Sequence, residues 1–306
     1  MKIGIIGNGN HVKKNLIGAY SEFDKIEKII IFDRNVNSTD INGIIETTSL
    51  ENLFKQDCSF YHIATPIQTH DEYILRCIEE KKNIICEKLL CLEHKNAQEY
   101  YDAARERNIL LFEVCMYKYH AFYNFIVNFL DQNIKSINYV EANFCIPHKE
   151  KNDFRYNSDL GGGALNDVGF YPISIILNLF GKPLKLKSIT KPRKPVDLVG
   201  TCLMDYKNFY ATASWAIGQE YKNEILFKSE LYTYKFNFVF SKNDKISPSF
   251  EKYQNNNQLE LKKISPENQF VKMISGIIEG KVDHNNEEKL SLLTLETINE
   301  IREQNK

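Results

Sequence analysis

The chain has almost no net charge, no paired-cysteine motif and no long apolar run, and each absence removes a class of function. With 39 Lys and Arg against 40 Asp and Glu the formal net charge is −1, which leaves no electrostatic reason to bind nucleic acid. The seven cysteines include no C-x-x-C pair, and the seven histidines show no ligand spacing, so no metal is expected. No run of ~18 apolar residues is present. The first residues read as a strand rather than a charged leader, so neither membrane insertion nor secretion is expected, and the thiols are expected to stay reduced in the cytoplasm. No low-complexity linker or internal repeat interrupts the 306 residues.

What is there begins at the N-terminus. The apolar stretch Ile3, Ile5, Ile6 runs into Gly7-Asn8-Gly9-Asn10-His11-Val12 and then a helical pattern. Strand, glycine turn and helix in that order expose backbone N–H groups at the positive end of a helix dipole, where a pyrophosphate can bind without a basic side chain. Gly7 makes the tight turn, Gly9 admits the phosphate, and Val12 stands where a third glycine is common. A second apolar strand, Lys28 to Phe32, ends in Asp33. An acid there accepts hydrogen bonds from the adenine ribose hydroxyls, which favours NAD(H). Arg34 beside it can stack on adenine or pair with a 2′-phosphate, so NADP(H) stays open.

Two further strand ends follow. Tyr61-His-Ile-Ala64-Thr65-Pro66 leads into a helix with Asp71 and Glu72 in its first turn, and Asn83-Ile-Ile-Cys delivers Glu87-Lys88. Ligands of open parallel sheets bind outside the carboxyl ends of the strands, which places Lys88 near a nicotinamide. The alternative is a surface ion pair between Glu87 and Lys88, against which stands the opposite facing of strand neighbours. Farther on, Leu160-Gly-Gly-Gly-Ala-Leu-Asn-Asp167-Val-Gly-Phe-Tyr171-Pro sets a carboxylate and a phenol at i and i+4 of one helix. Three adjacent glycines are costly in entropy, and the space they leave clear is expected to hold substrate; a buried helix opened by a glycine-rich loop is the alternative.

Together, Gly7-x-Gly9, Ala64-Thr-Pro66, Glu87-Lys88 and Gly161-Gly-Gly-x-x-x-Asp167-x-Gly169-x-Tyr171 resemble the Gfo/Idh/MocA family of oxidoreductases, over residues 1 to about 230. The resemblance implies hydride transfer between nicotinamide and a sugar carbon. Lys88, Tyr171 and Asp167 would be catalytic: Tyr171 protonates the developing alkoxide, Lys88 lowers the phenol's pKa, and Asp167 orients a substrate hydroxyl. It further implies cofactor contacts from Gly7, Asn8, Gly9, Asn10, His11, Val12, Asp33, Arg34, Ala64, Thr65, Pro66, His70, Glu87 and Lys88. Substrate contacts would come from Lys88, Tyr117, His120, Arg155, Gly162, Asp167 and Tyr171. Two departures stand out: Leu89 follows Glu-Lys where the family usually has proline, often cis, which predicts a different backbone at Lys88, and Tyr171 stands where many members have histidine. The run from Asp153 to Ile173 is most similar to nucleotide-sugar 3-ketoreductases, whose diphosphate would be met by Lys149, Lys151 or, best, the planar fork of Arg155. His120 is equally a candidate helix cap, and Trp215 and Tyr221 are candidates for the same pocket or for packing.

Length and 43% hydrophobic content suit two domains. Strands alternate with helices up to Glu113, and after Phe129 long strands take over: Ile137 to Ile146, Val196 to Asp205, Tyr210 to Ile217, Leu231 to Phe240. Helical patterns at Asn268 to Ile278 and Glu287 to Ile301 close the chain. The predicted fold is α/β: an N-terminal Rossmann domain with a doubly wound parallel sheet (residues 1–118) and a C-terminal α+β substrate and oligomerisation domain with a large, mostly antiparallel open sheet (residues 119–306). The basic stretch Lys191-Pro-Arg-Lys-Pro195 reads as a solvated loop or edge. The expected partners are a sugar or nucleotide sugar and a second copy of the chain through the C-terminal sheet. A ketoreductase of a nucleotide-activated deoxysugar leads; a dehydrogenase of a free aldose, cyclitol or diol, and a non-catalytic dinucleotide-binding regulator, are the alternatives.

Overall fold

The apolar N-terminal run becomes the central strand of a buried parallel sheet. A computed structural model describes every residue except 36–39, 42, 194 and 243, with the backbone alone for 40, 41, 192 and 193. The first sheet has seven strands: β1 (Lys2–Ile6), β2 (Lys28–Phe32), β3 (Asp40–Ile41), β4 (Ile44–Thr47), β5 (Phe60–Ile63), β6 (Ile84–Cys86) and β7 (Leu111–Glu113), ordered β3-β4-β2-β1-β5-β6-β7. All neighbours are parallel except β3 on β4. Helices α1 (Ile17–Ser21), α2 (Leu50–Phe54), α3 (His70–Glu79) and α4 (His94–Glu106) intervene. Ile3, Ile5, Ile31, Ile63 and Ile85 are fully buried, as strands covered on both faces require. Winding reverses at β1, which lies between β2 and β5, so the carboxyl ends of β1 and β5 flank a topological switch point.

The second sheet has eight strands, β8 (Tyr139–Ile146), β9 (Lys185–Arg193), β10 (Val196–Tyr206), β11 (Phe209–Ile217), β12 (Lys222–Lys228), β13 (Thr233–Asn237), β14 (Ser249–Gln254) and β15 (Asn257–Lys263), ordered β15-β14-β13-β12-β8-β11-β10-β9. Only β8 and β11 run parallel. Helices α5 (Ala121–Asn133) and α6 (Phe170–Phe180) belong to the same unit, and α6 packs on β8 and β11. Rings of α5 meet rings of the sheet, Phe129 on Phe236 at 5.2 Å and Phe125 on Phe250 at 5.6 Å. Side chains that alternate away from this core pair across strands, as Lys228 with Glu141 and Lys235 with Glu224.

Helices α7 (Gln269–Ile278) and α8 (His284–Gln304) finish the chain. Met1–Cys115 packs with Phe270–Leu292 as one unit, and Met116–Gln269 with Leu293–Lys306 as the other. The expected strand Leu231 to Phe240 ends early, because Phe238 has φ +58° and leaves the ladder. Strand β15 is exposed throughout and largely polar, so no apolar period marks it. Lys191 lies on edge strand β9, whereas Lys194 of the basic cluster falls outside the described residues. Among the described residues no helix is long and apolar enough to cross a membrane.

Candidate active site

The glycine turn after β1 opens onto a cavity of about 190 Å³. Gly7 has φ +108°, and a Cβ there would stand 2.8 Å from the Ala64 carbonyl oxygen, so only glycine fits between the ends of β1 and β5. A Cβ on Gly9 would meet nothing within 4 Å, so it would enter the cavity that Gly9 lines. Asn8, Ala64, Thr65 and Pro66 line it too, with Asp33 and Arg34 at the carboxyl end of β2. Asp33 Oδ2 accepts the Asn8 N–H (3.0 Å) and Oδ1 the Asn35 N–H (2.9 Å), while Asn8 Nδ2 donates to Glu46 Oε1 (2.9 Å). A glycine cradle faced by an acid and a guanidinium suits a dinucleotide. Phe32, Asn35, Thr69 and Tyr73 complete the lining and were not expected. Thr65, Thr69 and Tyr73 fall at helical i, i+4, i+8 spacing, the signal that would have found them.

Six of the expected cofactor residues do not line this cavity. Asn10 is exposed and Val12 is fully buried at the start of an i→i+5 turn, Val12–Leu16. His11 turns instead to Glu87, its Nε2 2.9 Å from Oε1, and His62 Nε2 approaches the same oxygen at 3.3 Å. Tyr20 Oη lies 2.8 Å from His62 Nδ1. Burial raises the Tyr20 pKa, so the phenol donates; His62, whose pKa burial lowers, is then the neutral Nε2–H tautomer, donating to Glu87. Burial works to raise the Glu87 pKa, but His11 and His62 outweigh it and hold the carboxyl well below its usual range. For His11, burial acts to lower the pKa and Glu87 overrides it, leaving a net rise. Glu87 is therefore an anion held by His11 and His62.

His70 is also internal. Its Nε2 lies 2.9 Å from the Thr65 carbonyl and its Nδ1 2.9 Å from that of Leu89, so it ties the end of β5 to the segment after β6. Lys88, half-buried, is the second residue after β6. The Lys88–Leu89 peptide bond is cis.

In the second unit, the glycine run is needed for packing. A Cβ on Gly162 would stand 2.6 to 2.7 Å from the carbonyl oxygens of Phe154, Arg155 and Asn157. The space it leaves clear is filled by this chain's own backbone, which corrects the expectation that substrate occupies it. Leu165–Gly169 forms an i→i+5 turn that passes into α6, so Asp167 and Tyr171 straddle a junction rather than share one straight α-helical face. The turn is pinned by Asp197 of β10, whose Oδ2 accepts the Leu165 N–H (2.8 Å) and the Trp215 indole N–H (3.4 Å).

Asp167, 8% exposed, accepts a 2.5 Å hydrogen bond from Arg155 Nε. The Arg155 guanidinium also binds Asp153 through Nη1 (3.1 Å) and lies over the Phe154 ring, so two carboxylates already share the predicted phosphate ligand. Tyr171 is 5% exposed within a ring cluster of Phe144 (5.0 Å), Phe240 and Tyr117, its hydroxyl 3.9 Å from Met116 Sδ. Tyr117 is fully buried with its hydroxyl 3.0 Å from Ser174 Oγ. His120 is the buried N-cap of α5, accepting the Phe122 N–H at 3.0 Å. Trp215 is core, packed against Gly200 and Gly169, and Tyr221 is 42% exposed. Lys149 and Lys151 are exposed.

The model of the oxidoreductase family with an NAD-binding Rossmann fold matches residues 1–114, and that of the GFO/IDH/MocA C-terminal domain matches residues 131–232. The chain belongs to the Gfo/Idh/MocA family. This family member is 31% identical over 195 residues to a dTDP-3,4-didehydro-2,6-dideoxy-alpha-D-glucose 3-reductase of Actinomadura kijaniata, across 62% of this chain and 58% of the reductase. It is 29% identical over 157 residues to a trans-1,2-dihydrobenzene-1,2-diol dehydrogenase of Xenopus tropicalis, across 51% and 46% of the two chains. The matched part thus spans less than two thirds of either relative. A crystal structure of a 3-ketoreductase from Actinomadura kijaniata, in complex with NADP and TDP-benzene, shares the fold at TM-score 0.91 and 23% identity, covering 100% of this chain and 98% of that one.

Proposed function

We propose that this Gfo/Idh/MocA protein is an NAD(P)-dependent oxidoreductase that reduces a keto group on a nucleotide-activated deoxysugar, in the making of a deoxysugar or a surface polysaccharide. One observation carries the proposal: a glycine cradle opens at the switch point of a parallel sheet whose next strand end presents Lys88. The dinucleotide, when bound, supplies the hydride. The glycine turn at Gly7–Gly9 would hold its pyrophosphate, and Asp33 would take the adenine ribose hydroxyls, the basis for preferring NAD(H) to NADP(H). Residues 1–118 hold the cofactor and 119–306 the substrate and the oligomer contact. Tyr171 donates its hydroxyl proton to the substrate oxygen, and the Lys88 ammonium favours the tyrosinate left behind. Asp167, held by Arg155, accepts a hydrogen bond from a substrate hydroxyl and orients the ring. Relatives named as dTDP-sugar 3-reductases support this substrate class.

The decisive experiment is a turnover assay with a dTDP-linked 3-keto sugar and either NADH or NADPH. Reduction with NADH at the lower KM is the expected result; no turnover with either cofactor overturns the proposal. One observation favours a second substrate class: Arg155 is already held by Asp153 and Asp167, as a site for a free aldose, cyclitol or diol would allow. NAD-dependent oxidation of free sugars, indifferent to Arg155→Lys, would establish that class instead.

A further inference from the structure

Lys88 sits in a segment tied down on both sides by buried groups. The Glu87 N–H donates to the Ile63 carbonyl (2.9 Å), His70 lies at hydrogen-bond distance from the Leu89 and Leu90 carbonyls, and the Leu90 N–H donates to Glu113 Oε1 at 2.6 Å. Glu113 ends β7, is 8% exposed and sits in register with Cys86, the last residue of β6 before Glu87 and Lys88. An amide would anchor Leu90 equally well and avoid burying an acid. Burial pushes the Glu113 pKa up to about 7, against Ser291, the Leu90 N–H and Lys88, which all lower it. The groups that face it include Cys86 of β6, Lys88, Cys91, Tyr101 of α4, and Glu287 and Ser291 of α8. Lys88 is the cation among them.

We propose that Glu113 is a positioning residue for Lys88: its carboxyl fixes the segment through Leu90, and its charge sets the surroundings of the ammonium. Glu113 touches no substrate and acts only through Lys88. As its carboxyl gains a proton the anchor to Leu90 remains, but the counter-charge is lost. Its catalytic meaning rests on Lys88 being catalytic, as proposed above; the electrostatic coupling itself does not.

The test uses the full-length protein with its lysines reductively methylated by ¹³C-formaldehyde, the Lys88 resonance being identified by its loss in Lys88→Arg. In the wild type that resonance should move through an inflection between about pH 6 and 8. Glu113→Gln should remove the inflection while leaving NADH affinity and the thermal midpoint near wild type, because the amide keeps the Leu90 anchor. Glu113→Ala should lower kcat by about tenfold or more with the KM for NADH little changed, and Glu113→Gln, which resembles the protonated acid, should recover most of that loss below neutral pH and less above it. A Lys88 resonance without an inflection, or one that persists in Glu113→Gln, overturns the inference. An inflection abolished by Glu113→Gln, in a protein that binds neither NADH nor NADPH, would uphold the coupling and sink the oxidoreductase proposal instead.

Discussion

Glu87 is an acid held by two imidazoles of unequal character. His62 is buried and neutral, whereas His11 is partly exposed and carries the raised pKa, so the variable charge of the trio resides on His11. A group with a raised folded-state pKa contributes fully below its unfolded value, ~6.5 for histidine, and loses that contribution as pH climbs through the folded value. His11→Gln should therefore cost about 1–2 kcal/mol at pH 6 and less at pH 9, read as a gap between thermal or urea midpoints that narrows with pH. Chemistry at the proposed active residues obeys a different test. Tyr171→Phe and Lys88→Ala should each lower turnover by about a hundredfold or more while NADH titration by fluorescence stays near wild type. Wild-type turnover in either variant would remove that residue from the mechanism.

At the level of elements, the two glycine motifs that look alike in sequence do opposite things. Gly9 borders empty space, so Gly9→Ala should leave the thermal midpoint almost unchanged and weaken NADH binding by about tenfold or more, because the methyl group enters the cradle. Gly162 is wedged against three carbonyl oxygens, so Gly162→Ala should destabilise by more than about 2 kcal/mol in denaturant unfolding, the backbone having to move. Asp197 holds the turn that carries Asp167 by taking the Leu165 N–H and the Trp215 indole. Loss of these bonds in Asp197→Ala should cost about 1–2 kcal/mol in the same measurement.

Across the whole molecule, the chain's last helices are divided between its units. Residues 270–292 pack with the parallel-sheet unit: Phe270 meets His11 ring to edge at 5.3 Å, Phe112 meets His284 at 5.0 Å, and His284 Nε2 lies 3.0 Å from the Leu111 carbonyl. A fragment of residues 1–118 should accordingly lack a cooperative thermal transition, and a fusion of 1–118 to 268–292 should regain one. A sharp transition in 1–118 alone would show that the returning segment is dispensable. The protein's open sheet face carries Leu203 and Tyr210, 43% and 52% exposed, where we propose that a second copy docks. Sedimentation of Leu203→Lys against the wild type checks this, the variant being expected at the lower mass.

The inner strands of the parallel sheet and its glycine turn were legible because β1, β2 and β6 are apolar runs that lead into residues whose chemistry is local: a turn glycine, an acid, a lysine. The cavity residues Gly7, Asn8, Gly9, Asp33, Arg34 and Ala64 to Pro66 followed from that. What no spacing along the chain encodes is which buried polar groups find one another. Tertiary packing alone turned His11 and His62 onto Glu87 and brought Glu113 to Leu90. Such pairings join residues far apart in sequence because a desolvated charge must find a partner wherever the fold supplies one. A hydrophobic period shows which face is buried and leaves open what that face will meet.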